Sequence, residues 1–256
     1  MRYRATVAYV GTFFHGWQVQ ENAPRTVQAV LESALSEVFG EPVRAHASGR
    51  TDAGVHADGQ IVHFDARALL DARPAASLRS AVNRKLPWDV RILRLDEAAA
   101  EFHARSSAAG KRYVYRFSRE AVLAPRDALF VSPISGRADA TRMALAAKEI
   151  VGTRDFFPFS TSGTPTETTI RTVTACGVRE DGPRLTIEIE ADGFLRGMAR
   201  AIAGALADVG RGRFGPDFIG QIFAARSRAL AAPKARPRGL TLERVFYPFF
   251  DNIEPP

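Results

Sequence analysis

The run SGRTDAGVHADGQ, Ser48 to Gln60, sets one carboxylate, Asp52, between an arginine two positions before it and a glycine two positions after it. Val43 to Ala47, just before the run, reads as a short strand. Gln60 to Asp65, just after it, alternates, with Ile61, His63 and Asp65 on one side and Val62 and Phe64 on the other. The run is therefore read as a loop carried by a sheet. Gly49, Gly54 and Gly59 permit tight turns or close approach of a ligand, and loops held by rigid strands carry functional side chains disproportionately often. Local chemistry alone is also served by an Asx-turn, in which Asp52 bonds its own backbone near Gly54.

Working outward, Arg2 to Val10 alternates as a strand. Thr26 caps a helix whose apolar face is Val27, Val30, Leu31, Ala34, Leu35 and Val38, ended by Gly40. Ser77 to Leu86 reads as a second helix, with Leu78, Ala81, Val82 and Leu86 on one side and Pro87 as its stop, and Val90 to Leu95 as a strand. The first half thus runs βαββαβ. The second half repeats that order without residue-level identity: a strand at Lys111 to Phe117, then a helix capped by Asp139 that carries Met143, Ala147, Ile150 and Val151. Two strands follow, Ile170 to Val178 and Leu185 to Glu190, hinged at Glu180, Asp181 and Gly182. A helix at Leu195 to Val209, with Met198, Ile202, Leu206 and Val209 in register, and a strand at Leu240 to Tyr247 complete it. The expected fold is α+β, two ferredoxin-like halves over residues 1–105 and 106–256 with antiparallel-rich sheets. Two stretches look irregular, Thr153 to Thr169 and the basic, proline-rich Ala231 to Gly239, and each reads as a surface loop or a flap over nucleic acid.

Composition narrows the function. A net charge of +7 and a pI near 10.0 suit a polyanionic partner, though many non-binding proteins share them. Cys176 is the only cysteine, so an intramolecular disulfide is impossible and a thiolate-rich metal site is excluded. The opening MRYRATVAYVG has strand alternation in place of an apolar signal core, and no apolar run approaches the roughly 18 residues of a membrane span. A soluble cytoplasmic protein without membrane association is expected. His15, His46, His56, His63 and His103 show no metal-ligand spacing, and no GxxxxGK run occurs, so no metal, nucleotide or flavin cofactor is expected.

Five blocks in order, YVGTFFHGWQVQ (Tyr9 to Gln20), RTVQAVLESAL (Arg25 to Leu35), GRTDAGVHA (Gly49 to Ala57), FHARSSAAGKRYVYRF (Phe102 to Phe117) and DGFLRGMAR (Asp192 to Arg200), resemble the tRNA pseudouridine synthase A family. The resemblance runs from about Arg2 to Tyr247. It implies the pseudouridine synthase fold with a central active-site cleft between the halves, and isomerisation of uridine to pseudouridine at positions 38 to 40 of the tRNA anticodon stem-loop. It also implies no cofactor, and a homodimer spanning one tRNA.

That chemistry breaks the C1′–N1 bond of the nucleoside, turns the base, joins C1′ to C5 and removes the C5 proton. It needs a nucleophilic carboxylate, a cation to keep it ionised, a surface for the detached uracil and a base for the last proton. By the resemblance, Asp52 is the nucleophile. Arg200 is its ion-pair partner and Arg50 displaces the target base from the stack. Tyr113 stacks on the uracil near the C5 proton, and Leu240 packs against it. Taken singly, Arg200 reads as a surface charge, Arg50 as a phosphate clamp, Tyr113 as part of an aromatic core stripe with Tyr115 and Phe117, and Leu240 as a core leucine. Arg196 and Arg200, four apart, are read as sharing one face of their helix. One departure from the family pattern stands at Val10, where the opening block commonly carries aspartate.

Two rival readings compete with the isomerase: a catalytically silent tRNA-binding protein of the same fold, and a hydrolase pairing Asp52 with Asp58 as glycosidases pair carboxylates.

Overall fold

The computed structural model describes residues 1–67, 74–136, 138–163, 166–230 and 233–248. Residues 164–165 and 231–232, inside the two irregular stretches, lie outside the described residues. The chain divides into two units, Met1–Ala109 with Leu242–Pro256, and Gly110–Thr241.

The first unit follows the βαββαβ order: β1 (Arg2–Tyr9), α1 (Val27–Phe39), β2 (His46–Ala47), β3 (His56–Asp65), α2 (Ala75–Lys85) and β4 (Val90–Glu97). In β1 every second residue, Tyr3, Ala5, Val7 and Tyr9, is buried, as its alternation requires. Its neighbours β3 and β4 both run antiparallel to it, and β2 adds to β3 through His46 opposite His63. The helix α1 starts where expected, because the Thr26 hydroxyl accepts the Ala29 amide at 3.3 Å, and it ends at Gly40 with φ of 68°. Val27, Leu31 and Leu35 on its inner face are fully buried, each worth roughly 1.5–3 kcal/mol. Strand β3 departs from half-exposed alternation, since Ile61, Val62, His63 and Phe64 are all buried. His63 is covered by His103 (ring centroids 4.6 Å apart) and by Phe102, both from the segment after β4.

The second unit holds β5 (Gly110–Ser118), α3 (Pro125–Ala128), β6 (Ser132–Pro133), α4 (Ala140–Lys148), β7 (Gly152–Asp155), β8 (Ile170–Asp181), β9 (Arg184–Ala191), α5 (Met198–Gly210) and α6 (Phe218–Ala225). Its sheet runs β5-β9-β8-β7, antiparallel throughout, with β6 parallel to β5. Strand β10 (Leu240–Phe246) begins in this unit and from Leu242 belongs to the first, where it neighbours β3. The α+β class with antiparallel-rich sheets is thus borne out.

Three local expectations are corrected. Thr153 to Thr169 is not wholly irregular: β7 pairs with β8, and Phe156 and Phe159 are fully buried against Phe223. Apolar anchoring overrides the Thr, Ser and Pro composition. The helix read from Leu195 begins at Met198, because Gly197 takes a φ of 76° that breaks helical continuity. Arg196 therefore lies outside α5 and shares no helix face with Arg200. The α4 helix ends at Lys148, three residues before Val151.

Candidate active site

Asp52 opens a tight turn. The Val55 amide donates to the Asp52 carbonyl at 3.1 Å, and Gly54 supplies the positive φ of 78° at the turn's third position. The Gly54 amide is engaged by the Phe14 carbonyl at 3.3 Å, so the backbone at this point is bound to the segment after β1. That segment presses on the turn from one side. A Cβ at Gly11 would overlap the Val55 carbonyl, and one at Gly16, whose φ is 87°, would sit 2.8 Å from the Thr51 carbonyl. The Trp17 amide donates to that carbonyl at 3.1 Å. The glycines of GTFFHG are what allow two backbones to lie in contact beneath Asp52.

A buried polar network also holds the turn. The Tyr9 and Thr51 hydroxyls are 2.8 Å apart. Gln60 donates through Nε2 to the Gly49 carbonyl at 2.9 Å, and its Oε1 accepts from the Ser48 hydroxyl at 2.7 Å. The Ser48 amide in turn donates to the Ile61 carbonyl, and the Gly11 amide to His56 Nδ1 at 3.1 Å. Residues 48, 51, 56 and 60 are thus fixed, while Asp52 is only partly covered and Arg50 is exposed.

The remaining residues singled out from the sequence lie in the second unit. Arg200, in the first turn of α5, donates through Nε to the Ala235 carbonyl at 2.8 Å, and its own carbonyl accepts the Ala235 amide at 3.0 Å. Tyr113 on β5 is 7% exposed and meets Phe194 edge-on, with ring centroids 4.8 Å apart. Phe194 belongs to the DGFLRGMAR block, so a ring contact ties the tyrosine strand to the segment just before α5. Tyr115 is fully buried and donates to the Arg236 carbonyl at 2.7 Å. Leu240 is buried at the start of β10, directly after Gly239, whose missing side chain makes room for the Tyr115 ring.

A model of the family described as tRNA pseudouridine synthase matches residues 5–105 and 146–248. The chain belongs to that family. It is 40% identical to tRNA pseudouridine synthase A of Oleidesulfovibrio alaskensis, across 100% of this chain and 99% of that one. It is 39% identical to the enzymes of the same name from Nitratidesulfovibrio vulgaris (96% and 97% covered) and Geobacter sulfurreducens (93% and 96%). Asp52, Arg50, Arg200 and Leu240 fall within the stretches the family model matches, and Tyr113 falls between them.

For a pseudouridine synthase the protonation states around the turn matter. Burial pushes the Tyr9 hydroxyl up to about 12, opposed by its hydrogen bonds to Thr51 and Gln60, so it stays a neutral phenol beside the carboxylate turn. Burial likewise pushes Tyr115 up to about 12, which suits its place as a core donor. Among the described residues no group of three or more His, Cys, Asp or Glu could hold a metal ion. His46, His63 and His103 do cluster, yet Nδ1 of His63 accepts the Ala104 amide and Nδ1 of His103 accepts those of Arg105 and Ser106, so these nitrogens are spent on backbone.

Sequence reasoning did not find Tyr9, Thr51, Ser48, Gln60 or His56 around the Asp52 turn, nor Phe194 beside Tyr113. The signal for the first five was present but indirect: polar residues in and beside a carboxylate loop, and at the end of the first strand, need partners once buried. For Phe194 the only signal was its place in the arginine block.

Proposed function

We propose that the chain isomerises uridine to pseudouridine in the tRNA anticodon stem-loop, at positions 38 to 40, with Asp52 as nucleophile. Membership of the tRNA pseudouridine synthase family supplies the reaction class. The observation that carries the residue assignment is the Asp52 turn itself: a partly exposed carboxylate on a backbone clamped by Gly11, Gly16, Tyr9 and Gln60. Such clamping fits covalent catalysis, which rewards a nucleophile held in place before the substrate arrives.

In this reading Arg200 keeps Asp52 ionised and Arg50 takes the place of the displaced base. Tyr113 stacks on the detached uracil and relays the C5 proton, with Leu240 packed against the same base. Whether the carboxylate attacks C1′, adds to C6 or assists elimination, each route begins from the ionised form. The reading extends to a cytoplasmic homodimer acting on one tRNA.

Incubation with transcribed tRNA tests the reaction. Pseudouridine is expected. Released uracil would mark a hydrolase using Asp52 and Asp58, and unchanged RNA would mark a silent binder. Asp52→Asn should remove turnover while leaving tRNA affinity within a few fold, because backbone contacts supply most of the binding. Residual turnover above about a tenth of wild type would exclude Asp52 as the nucleophile.

A further inference from the structure

The second unit contains a cavity of about 640 Å³ whose walls include Arg119, Arg211, Arg213, Lys234 and Arg236. Two carboxylates, Glu120 and Asp208, also line it. Asp208 is buried on α5, and one of its oxygens accepts from both Arg211 and Arg213 at 3.0 Å. Its single charge is thus shared by two guanidinium groups, and five cations against two carboxylates leave the lining net positive. The Nε of Arg211 is buried and has no hydrogen-bond partner among the described residues. A buried N–H donor without an acceptor is costly.

The chain carrying Lys234 and Arg236 is built in rather than draped over the surface. Gly204 of α5 has no side chain to block the Pro233 carbonyl, which lies against it. Ala235 is clamped by Arg200 through both its amide and its carbonyl, and the Arg236 carbonyl accepts the Tyr115 hydroxyl. Fixed backbone places these cations before any ligand arrives, and guanidinium forks match the oxygens of a phosphate.

We propose that this cavity holds a backbone phosphodiester of the RNA substrate. The proposal rests on the tRNA reading above, and none of its residues is among those assigned to the reacting nucleoside. Arg119 is anchored to the Ala138 carbonyl and Glu180 and forms one wall; Arg213, with a side chain 61% exposed, and Arg236 are the groups best placed to reach for the phosphate.

The test compares Arg213→Gln/Arg236→Gln with a control of equal charge change, Arg126→Gln/Arg179→Gln, two exposed arginines outside the cavity. The site variant keeps Arg211 on Asp208, and circular dichroism with a thermal melt checks its fold. Affinity for transcribed tRNA is measured against salt, and stabilisation by inorganic phosphate is measured by thermal shift against chloride at equal ionic strength. The site variant should bind tRNA at least about tenfold more weakly. Its slope of log affinity against log salt should be shallower by roughly 0.7–0.9 for the phosphate lost. Phosphate stabilisation should vanish, and the control should match wild type throughout. Equal weakening in both variants would mean general charge and overturn the site, as would wild-type affinity in the site variant. Loss of phosphate stabilisation with unchanged tRNA binding would make the cavity a free-anion site and overturn the RNA assignment. Arg236→Gln alone carries the same test should the double variant fail to fold. Pseudouridine formation by the wild-type protein is scored separately, so failure of the cavity and failure of the enzymatic reading remain distinct.

Discussion

The Tyr9 hydroxyl lies 2.8 Å from the Thr51 hydroxyl, so a tyrosine at the end of the first strand is bonded to the residue immediately before the candidate nucleophile. The two are 42 positions apart, and both are buried. Tyr9→Phe leaves the ring in place and strands the Thr51 hydroxyl. An unfolding free energy lower by about 1–3 kcal/mol is expected. Because Thr51 and Asp52 are adjacent, kcat should fall more than KM rises. Steady-state kinetics beside a urea melt separate the two effects, and unchanged kcat in a destabilised protein would make the contact purely structural.

Arg200 is bonded from both its side chain and its backbone to Ala235. Arg200→Ala should slow single turnover at saturating tRNA by roughly 10²-fold, the scale typical of losing a preorganised electrostatic group. Arg200→Lys should recover little, since a lysine lacks the fork that spans two partners. A single-turnover rate equal to wild type would reduce Arg200 to a brace for residues 233–236.

The two tyrosines of β5 should separate cleanly. Tyr113→Phe keeps the ring against Phe194 and deletes the hydroxyl assigned to the C5 proton, so it should slow the final proton step. Tyr115→Phe removes the donor to the Arg236 carbonyl, so a loss of about 1–3 kcal/mol in stability is expected. Loss of activity in neither variant would refute the proton role of Tyr113.

His63 predicts an acid limit to stability. Burial first, then the neighbouring His103, His46 and Arg2, push its imidazole down to about 4, against 6.5 in the unfolded chain, with Asp65 opposing them. Between those values the unfolded chain holds a proton that the folded chain does not. The stabilisation is therefore complete above about pH 6.5 and is lost as pH falls toward 4, with a slope of at most about 1.4 kcal/mol per pH unit for one proton. Urea midpoints from pH 7 to 4.5 should fall more steeply for wild type than for His63→Gln. Parallel curves would show that His63 is not the group responsible.

Much of this protein was determined by the sequence within short windows. Thr26 and Gly40 bound α1 because a hydroxyl cap and a left-handed glycine act within one turn of the chain. Alternation along β1 marked it as a strand, and the GRTDAG run marked the carboxylate loop, since both signals are local. Only the tertiary structure decided the rest. That Tyr9, Thr51 and Gln60 would form one network, that β7 would be pinned by Phe156 and Phe159, and that residues from Leu242 would join the first unit all depend on partners distant along the chain. Arg196 fell outside α5 for a different reason: a glycine permits a positive φ without requiring it, and Gly197 sits against Thr161 and Lys234. Burial and hydrogen-bond satisfaction are properties of the packed whole, so no window of sequence contains them.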